Sequence, residues 1–336
     1  MSASHATTTH LSPALMRALA IATVGLALLP LGAEDYTVDA VTRMMILALF
    51  AMSLDLLQGV TGLVSLGHAA YFGLAGYVLA FLTPESEAVS LWTSLPLAML
   101  ASGALALGVG ALVVRTSGIY FIMSTMAFGQ MVFYVFFDNK ALGGSDGLFV
   151  NFRPQAGWFD LDNRLHFFYF TLACLLLVYG FLRRLLHSPL GRALQGIRVN
   201  EHRMRAVGFN TYTHKLSAFT LSGALAGLAG YLWGAQTGFI NPELLGFHLS
   251  AHLIMMVILG GMGNFAGAII GAFVFEYTLH LFKDLPVVAG FDLGQHWQLV
   301  MGVFIVAVVV WLPQGLLGGL QRLMSRGDGQ RGAPHA

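Results

Sequence analysis

The sequence predicts an all-α polytopic membrane protein with about ten transmembrane helices. Hydrophobic residues make up 57% of the chain, charged residues only 10%, and the mean hydropathy is +0.73. A soluble domain usually carries about 25% charged residues, so this chain has too few to cover a globule of its length in water. Several apolar segments also approach the roughly 20 residues that a helix needs to cross a bilayer. The bilayer is therefore the predicted solvent.

Ten apolar segments qualify as candidate spans when the chain is followed in order. They are 13–32, 39–58, 62–83, 91–114, 118–137, 165–182, 213–236, 249–262, 265–282 and 297–312. A cleaved signal peptide is the alternative for the first segment, because Arg17 precedes its apolar run. The following residues lack the small-residue cleavage pattern, which favours a retained helix.

Glycine-rich stretches predict that some of these helices are kinked or broken. Residues 59–76 are rich in Gly and Ser, and such a break is tolerated where protein buries it. The sequence Gly-Gly-Met-Gly-Asn at 260–264 separates two short apolar segments. Gly267 and Gly271, four residues apart, predict close packing of one helix against another.

Basic residues predict the orientation, because Lys and Arg concentrate in cytoplasmic loops. Twelve of the 17 Lys and Arg residues fall on one side of a ten-span arrangement, seven of them in the connection after the sixth span. That side is assigned to the cytoplasm, which places both termini there. The predicted domains are a disordered tail over 1–12, one transmembrane domain over 13–322 with an outward loop over 138–164, and a disordered tail over 323–336.

A nucleotide-binding role for this chain is excluded by its lysines. A phosphate loop ends in Gly-Lys-Ser/Thr, but Lys140, Lys215 and Lys283 follow Asn, His and Phe. The net charge of +1 gives no case for nucleic-acid binding. A membrane-embedded enzyme would need a nucleophile with a base, or a metal cluster, and neither pattern is present. The chain is predicted not to be an enzyme.

A cytoplasmic segment over about 188–208 has the pattern of one or two short amphipathic helices. Ser188 is a helix cap, Pro189 suits a first turn, and Gly208 is a stop signal. Apolar residues recur at helical spacing between them, with charged residues around them: Leu190, Ala193, Leu194, Ile197, Met204 and Val207, with Arg192, Arg198, Glu201, Arg203 and Arg205. Two interpretations stay open from pattern alone: a basic helix on lipid headgroups, or a docking helix for a cytoplasmic partner.

Four polar residues in or near the apolar segments are candidates for the bundle interior or a translocation path. They are Asp55, Ser65, His68 and Glu276. Ionisable groups in a membrane are costly and often functional. The alternatives are that Asp55 reaches cytoplasmic water, that His68 is a neutral bundle histidine, and that Glu276 bonds to a neighbouring helix. No two of these residues have metal-ligand spacing on one helix face, so no metal site is predicted.

Eight motifs, in order from about residue 40 to 318, resemble the permease family of branched-chain amino-acid ABC importers, most closely its M-type (LivM-like) subunits. They are GVTGLVSLGHAAYFGLAGY (59–77), GIYFIMSTMAFGQ (118–130), GGSDGL (143–148), SPLGRALQGIRVNEHRMRAVGFN (188–210), KLSAFTLSGALAGLAGYLWG (215–234), GFINPELL (238–245), VILGGMGNFAGAIIGA (257–272) and WLPQGLLG (311–318). The match is specific as a set, although no single motif is.

The resemblance implies a multi-pass subunit of a bacterial plasma (inner) membrane importer for branched-chain or other hydrophobic amino acids. It implies a second, homologous permease, two cytoplasmic ATPases that use ATP–Mg, and a periplasmic or extracellular binding protein. This chain would bind no cofactor itself. The segment 188–208 would be the coupling helix, with the following residues at the ATPase: Gly191, Arg192, Leu194, Ile197, Arg198, Asn200, Glu201 and Gly208.

Within that segment, Leu194 and Ile197 are predicted anchors in the ATPase cleft, and Arg198 and Glu201 are predicted to pair with the partner's charges. Gly191 is predicted to allow close approach of the two backbones. Asp55 departs from the family pattern, in which many amino-acid permeases carry Asn, and an acidic residue resembles the urea and short-amide branch. A urea or amide importer, and an ion-coupled secondary transporter using Asp55 and Glu276, remain the alternatives.

Overall fold

The computed structural model describes residues 13–84, 88–157, 160–283, 287–288, 291–292 and 296–321. The predicted tails, 1–12 and 323–336, lie outside these ranges. Within the ranges the chain forms the α-helices α1 (Pro13–Leu28), α2 (Asp35–Asp55), α3 (Ala69–Leu82), α4 (Leu91–Val113), α5 (Ile119–Asp138), α6 (Arg164–His187), α7 (Pro189–Val199), α8 (Glu201–Ala206), α9 (Thr211–Thr237), α10 (Phe247–Gly260), α11 (Phe265–Lys283) and α12 (Trp297–Trp311), and a short helix over Gly315–Gln321 follows α12.

Strands are confined to two antiparallel pairs of two residues each in the described ranges. β1 (Leu148–Phe149) pairs with β2 (Phe239–Ile240), and β3 (Val287–Val288) pairs with β4 (Phe291–Asp292). Both pairs lie in connections between helices. The fold is therefore all-α, as the composition predicts.

Six helices of the described chain are long and apolar enough to cross a membrane. They are α2 with its extension to Thr61, α4, α5, α6, α9 and α11. A seventh is added if α12 and the helix Gly315–Gln321, bent by 42°, form one span. α3 and α10 are apolar but have only 14 residues each. The protein is thus a multi-pass membrane protein.

The predicted span 62–83 is wrong at its start, because the helix begins only at Ala69. α2 continues through a π-helical turn over Leu56–Thr61, and Gly62, at a φ of +77°, ends it. Residues 62–68 then run without helix to α3. Gly67 packs so closely on the backbone of Thr125 in α5 that a Cβ would not fit there. This contact at Gly67 allows the non-helical segment 62–68 to lie against α5.

The two short helices begin beside each other inside the bundle. The backbone N–H of Ala69, the first residue of α3, donates to the Ser250 hydroxyl of α10 at 2.9 Å. A 3-10 turn over Pro242–Leu245 leads into α10, and Leu245 fills the space beside Gly73 of α3. Both helices are therefore reached through non-helical chain that other parts of the protein cover.

Contacts between connections divide the helix ends into two sides. On the α7 side, the Arg198 guanidinium donates to the carbonyl of Gly59, and the Tyr212 hydroxyl donates to Ala111 at 3.0 Å. The turn at Gly261 packs on the backbone of Gln314. The ends of α2, α4, α7, α10 and α12 and the start of α9 therefore lie together.

The opposite side holds the other set of helix ends. Arg164 at the start of α6 pairs with Asp35 at the start of α2, 2.8 Å apart. The backbone N–H of Leu91 donates to the carbonyl of Gln155 at 2.8 Å, and β1 and β2 join the chain after α5 to the end of α9. α2 and α6 therefore start on one side and end on the other, in parallel.

α2 and α9 form the centre of the bundle. The apolar window of α2 is 89% buried and that of α9 is 67% buried. Gly223, Gly227 and Gly230 of α9 lie where a Cβ would overlap Ala106 and Ser102 of α4 or Phe72 of α3. Small residues allow such close approach between membrane helices, where the hydrophobic effect gives no driving force for association.

Candidate functional site

The helix pair α7–α8 is built by local capping. The Ser188 hydroxyl accepts from Gly191 N at 3.2 Å, and Pro189 occupies the first turn of α7, as predicted. The Asn200 carboxamide accepts from Arg203 N at 2.9 Å and caps α8. Gly208, at a φ of +96°, follows the end of α8. Each boundary therefore has a residue suited to it.

The apolar stripe of α7 faces the membrane bundle. Leu194 is 0% exposed and Ile197 is 4% exposed. α7 packs on the ends of α6 and α9 and on the π-helical turn Leu56–Thr61. Side chains buried in this way are not available as anchors for a partner, so the anchor role predicted for them is wrong. They fasten α7 to the spans of its own chain.

Gly191 also makes its close approach within the chain. A Cβ at this position would overlap the carbonyl oxygen of Leu185 and the backbone of Leu186, at the end of α6. The glycine therefore allows α7 to fold back directly under α6. The close backbone contact of Gly191 is therefore with α6 of the same chain and not, as predicted, with a partner protein.

Arg198 connects α7 to a junction of three elements. Its Nη1 donates to the carbonyl of Gly59, which lies in the π-helical turn after α2. In the same place, Asp55 Oδ1 accepts from the backbone N–H of Gly263 at 2.8 Å, and Gln58 Nε2 lies 3.1 Å from the Met262 sulfur. We call Asp55, Gly59, Arg198 and Gly263 the junction.

The junction is tightly packed. Asp55 is 0% exposed, so the alternative that it reaches water is wrong. A Cβ on Gly59 would overlap both the Asp55 carboxylate and the backbone of Gly263. The end of α2, the end of α7 and the α10–α11 turn are therefore held in one arrangement.

Glu201 connects α8 to α9. Its Oε1 accepts from Lys215 Nζ at 2.9 Å, from Arg205 Nη2 at 2.6 Å and from the Thr211 hydroxyl at 3.0 Å. Partial burial acts to raise the pKa of Glu201, but these hydrogen bonds and the charge of Lys215 outweigh it and hold the pKa below its usual value. Lys215 is only 4% exposed, so this ion pair is largely shielded. Glu201 already has three donors within the chain.

The outer surface of α7–α8 carries a different set of residues. Val199 is 84% exposed, Val207 is 69% exposed and Phe209 is 41% exposed. Arg192, His202 and Arg203 are exposed around them. This surface combines apolar side chains with basic ones, which suits a protein partner with an acidic rim.

His68 and Ser65 lie in a second polar region, at the non-helical entry to α3. His68 Nε2 is 3.0 Å from the Ser53 hydroxyl and 3.5 Å from the Ser222 hydroxyl, and its ring stacks on Phe50. The Ser65 hydroxyl and His68 Nδ1 are buried without a hydrogen-bond partner among the described residues. We call Ser53, Ser65, His68, Ser222 and Ser250 the break region.

Glu276 lies apart from both regions. It belongs to α11, where its Oε1 is 3.4 Å from His280 Nε2, one turn further along the same helix. The structure therefore does not bring Asp55, His68 and Glu276 together. No group of three or more His, Cys, Asp or Glu residues able to hold a metal occurs in the part of the chain that the structure describes.

Sequence reasoning missed the glycines of the junction, the Glu201 partner Lys215, and three serines of the break region: Gly59, Gly263, Lys215, Ser53, Ser222 and Ser250. In the sequence, Gly59 and Gly263 resemble the other glycines of apolar segments, so no local pattern identifies them as contact residues. Lys215 gave a usable signal, because a lysine at the start of an apolar helix needs a partner and Glu201 is the acid of the preceding segment. Ser250 binds a backbone N–H 181 residues away, which no local pattern predicts.

Comparison with known proteins gives one family. The model of the branched-chain amino acid transport system / permease component family matches residues 36–309. The branched-chain amino acid permease LivM of Salmonella typhimurium is 32% identical over 305 residues, covering 84% of this chain and 70% of that protein. The probable LivM of Methanocaldococcus jannaschii is 25% identical over 299 residues, covering 80% of this chain and 84% of that protein.

A second kind of permease also matches over a shorter range. The permease LivH of Escherichia coli is 27% identical over 132 residues, covering 39% of this chain and 41% of that protein. No solved structure matches.

Proposed function

The chain belongs to the permease-component family of branched-chain amino acid transport systems, and we propose that it is a membrane-spanning subunit of an ATP-driven importer for branched-chain or other hydrophobic amino acids. The observation that carries the proposal is the family match over 36–309. The LivM relatives are named as high-affinity branched-chain amino acid permeases.

The subunit crosses the bacterial inner membrane ten times, with both termini and α7–α8 in the cytoplasm. The two sets of helix ends support this topology, because successive helices join one set to the other. α3 and α10 complete their spans with the non-helical chain before them. The α7 side carries most of the Lys and Arg residues, which supports its cytoplasmic placement.

Three kinds of partner complete the importer. They are a second, homologous permease of the LivH kind, two cytoplasmic ATPases that bind ATP–Mg, and a periplasmic binding protein that delivers substrate. This chain hydrolyses nothing itself. The proposed coupling segment 188–208 docks on an ATPase through Arg192, Val199, Val207 and Phe209, not through Leu194 and Ile197.

Arg198 and Glu201 then act within this chain. When an ATPase moves α7–α8, the junction carries the movement to α2 and to the α10–α11 turn, and the Glu201–Lys215 pair carries it to α9. A rigid link is needed, because a flexible tether would lose the displacement. The buried stripe, the charged hydrogen bonds and the glycine contacts together make the link rigid.

The substrate alternatives differ in their support. The buried Asp55 carboxylate accepts a hydrogen bond from the Gly263 amide, so this residue serves the junction. The role of Asp55 is thus accounted for within the fold, and the family match supports branched-chain amino acids over urea or an amide. The half-length helices α3 and α10 resemble the broken helices of secondary transporters. Glu276 and Asp55 lie on separate elements without a shared site, which weakens that alternative.

Uptake by the complete system tests the proposal. The chain is expressed with its second permease, its ATPases and its binding protein in cells that lack branched-chain amino acid uptake, and entry of labelled leucine and of labelled urea is measured. We expect leucine uptake that needs ATP and persists when a protonophore collapses the proton gradient while ATP is maintained. Glu276→Gln leaves this uptake nearly unchanged.

Two results would overturn parts of the proposal. Urea uptake without leucine uptake would replace the substrate class and leave the transport class standing. Uptake that stops with the proton gradient while ATP stays high, and that Glu276→Gln abolishes, would replace the ATP-driven importer by a secondary transporter.

A further inference from the structure

α5 differs from the other long apolar helices in how little of it the chain covers. Only 22% of its apolar window is buried, against 39% or more for each of the other five. Its buried stripe consists of Phe121, Thr125, Gly129 and Phe136. The rest of the helix surface is open to whatever surrounds the protein.

The buried stripe of α5 lies on the non-helical entry to α3. The backbone N–H of Leu66 donates to the Thr125 hydroxyl at 3.2 Å, and Gly129 packs on Gly67 without room for a Cβ. α5 also contacts the 3-10 turn Pro242–Leu245 that leads into α10. α5 therefore stands directly over both interruptions of the bundle.

The open face of α5 mixes methionine and tyrosine with the aliphatic Ile119 and Val135. Tyr120, Met123, Met131 and Tyr134 are each more than half exposed. Methionine and tyrosine are enriched at protein interfaces, and methionine adapts to irregular neighbours.

Two other exposed helix faces provide the contrast. The open face of α12 is made by Leu299, Val303, Val306 and Val310, and that of α4 by Leu97, Leu100, Leu107 and Leu112. Away from the helix ends these faces are mainly branched aliphatic, as expected of surfaces that contact lipid tails, and the exposed aromatic residues Trp92 and Trp311 lie at the helix ends.

Gln130 gives an independent reason for a partner. It lies half-buried near the middle of α5, on the side of Met123 and Tyr134, and its carboxamide forms no hydrogen bond with the described residues. At that depth lipid offers no partner to an amide, whereas a facing helix does. The open face therefore needs a protein neighbour with a polar group at the same depth.

We propose that the open face of α5, with Gln130 near its centre, is the surface on which the second permease packs. This inference rests on the proposed function. The LivH relative matches part of this chain, so the second permease is expected to share part of its fold. Two such subunits packed face to face would enclose both interruptions between them, at the place where a substrate path between subunits must run.

Site-specific photo-crosslinking tests the surface in the complete transporter. Benzoylphenylalanine is introduced at Met123 or Met131, and at Val303 of α12 as a control that is exposed to the same extent, 64% against 61% for Met123. We expect crosslinks to the second permease from Met123 and Met131 but not from Val303. Crosslinks from Val303 alone, or crosslinks from Met123 only to lipid or to a second copy of this chain, would overturn the proposal.

A second variant measures the polar contact. Gln130→Leu is expected to lower co-purification of the second permease by about threefold or more, which is the loss of one interhelical hydrogen bond. Leu100→Ala on α4 is the control and is expected to change nothing. Unchanged co-purification of Gln130→Leu would remove Gln130 from the interface. If the wild-type chain retains no second permease at all, the proposed function fails, and that result is visible before any crosslink is examined.

Discussion

The junction and the break region are both polar, but the junction reaches the surface at Arg198, whereas the five residues of the break region are all buried. At the junction, Arg198 donates to the carbonyl of Gly59 and Asp55 accepts from the N–H of Gly263, with no room for a methyl group on Gly59. In the break region, the Ser65 hydroxyl and His68 Nδ1 have no partner among the described residues, and at the junction the same holds for Asp55 Oδ2. What distinguishes the junction is that three elements meet there without room for an added methyl group, whereas the break region is buried throughout and leaves two neutral side-chain groups unbonded.

The largest effect is expected from filling the junction. Gly59→Ala places a methyl group against the Asp55 carboxylate and the Gly263 backbone, neither of which can move away without breaking their hydrogen bond. Overpacking of this kind costs about 3 kcal/mol. The variant should therefore show a clearly lower unfolding temperature in detergent.

Gly302→Ala on α12 is the matched control, because an added Cβ there meets nothing within 4 Å. It should unfold at the wild-type temperature or slightly above it. Equal stability of the two variants would show that the junction is loosely packed, and the contrast with the break region would be lost.

A smaller effect is expected from removing hydroxyls in the break region. Ser250→Ala removes the acceptor of the Ala69 N–H at the start of α3, which should cost about 1 kcal/mol of unfolding free energy. Ser65→Ala removes a hydroxyl that has no partner, so it should cost nothing or stabilise slightly. Thermal unfolding of both variants under the same conditions measures the difference. A Ser65→Ala variant as unstable as Ser250→Ala would mean that Ser65 is already bonded and that the region has no free group.

The smallest effect concerns the pH dependence of the α8–α9 contact. The pKa of Glu201 is held below its usual value of 4.5, so its ionised form stabilises the folded contact. That contribution is fully present above pH 4.5 and is lost as the pH falls through the lowered pKa. Hydrogen exchange of α8 should therefore be constant from neutral pH down to that value and faster below it, after correction for the intrinsic rate.

Glu201→Gln is the control for this titration. Its α8 should exchange faster than wild type at neutral pH and should show no further change in acid. A variant that keeps the acid-dependent step would assign the titration to another group.

The sequence predicted the helices better than it predicted what they face. Hydropathy located the apolar segments because their composition is decisive, and Ser188, Pro189 and Gly208 bounded the cytoplasmic helices because capping is local. The amphipathic pattern of α7 showed that one side would be covered. It could not show that the cover is the chain's own bundle, since a stripe of Leu194 and Ile197 fits either surface.

Long-range contacts with backbone atoms were beyond sequence reasoning. Asp55 was recognised as an unusual residue, but its partner is a backbone N–H 208 residues away, which carries no side-chain signal. Gly59 and Gly263 fit the same explanation as every other glycine in an apolar segment. A break before α3 was expected from the glycines and serines. Its position at 62–68 could not be located from the sequence, because it depends on the packing of Gly67 on α5.

The central claim is that the junction transmits movement of α7–α8 to the spans, and the ratio of substrate transported to ATP hydrolysed tests it most directly. The ratio is measured in proteoliposomes that contain the complete transporter, with Arg198→Gln compared with Arg184→Gln, an exposed arginine at the end of α6. A hydrogen bond to a charged group contributes about 1.5–3 kcal/mol, so its loss should lower the ratio about tenfold or more in Arg198→Gln. The ATPase should remain bound and active, and Arg184→Gln should match wild type. A wild-type ratio in Arg198→Gln would contradict the account.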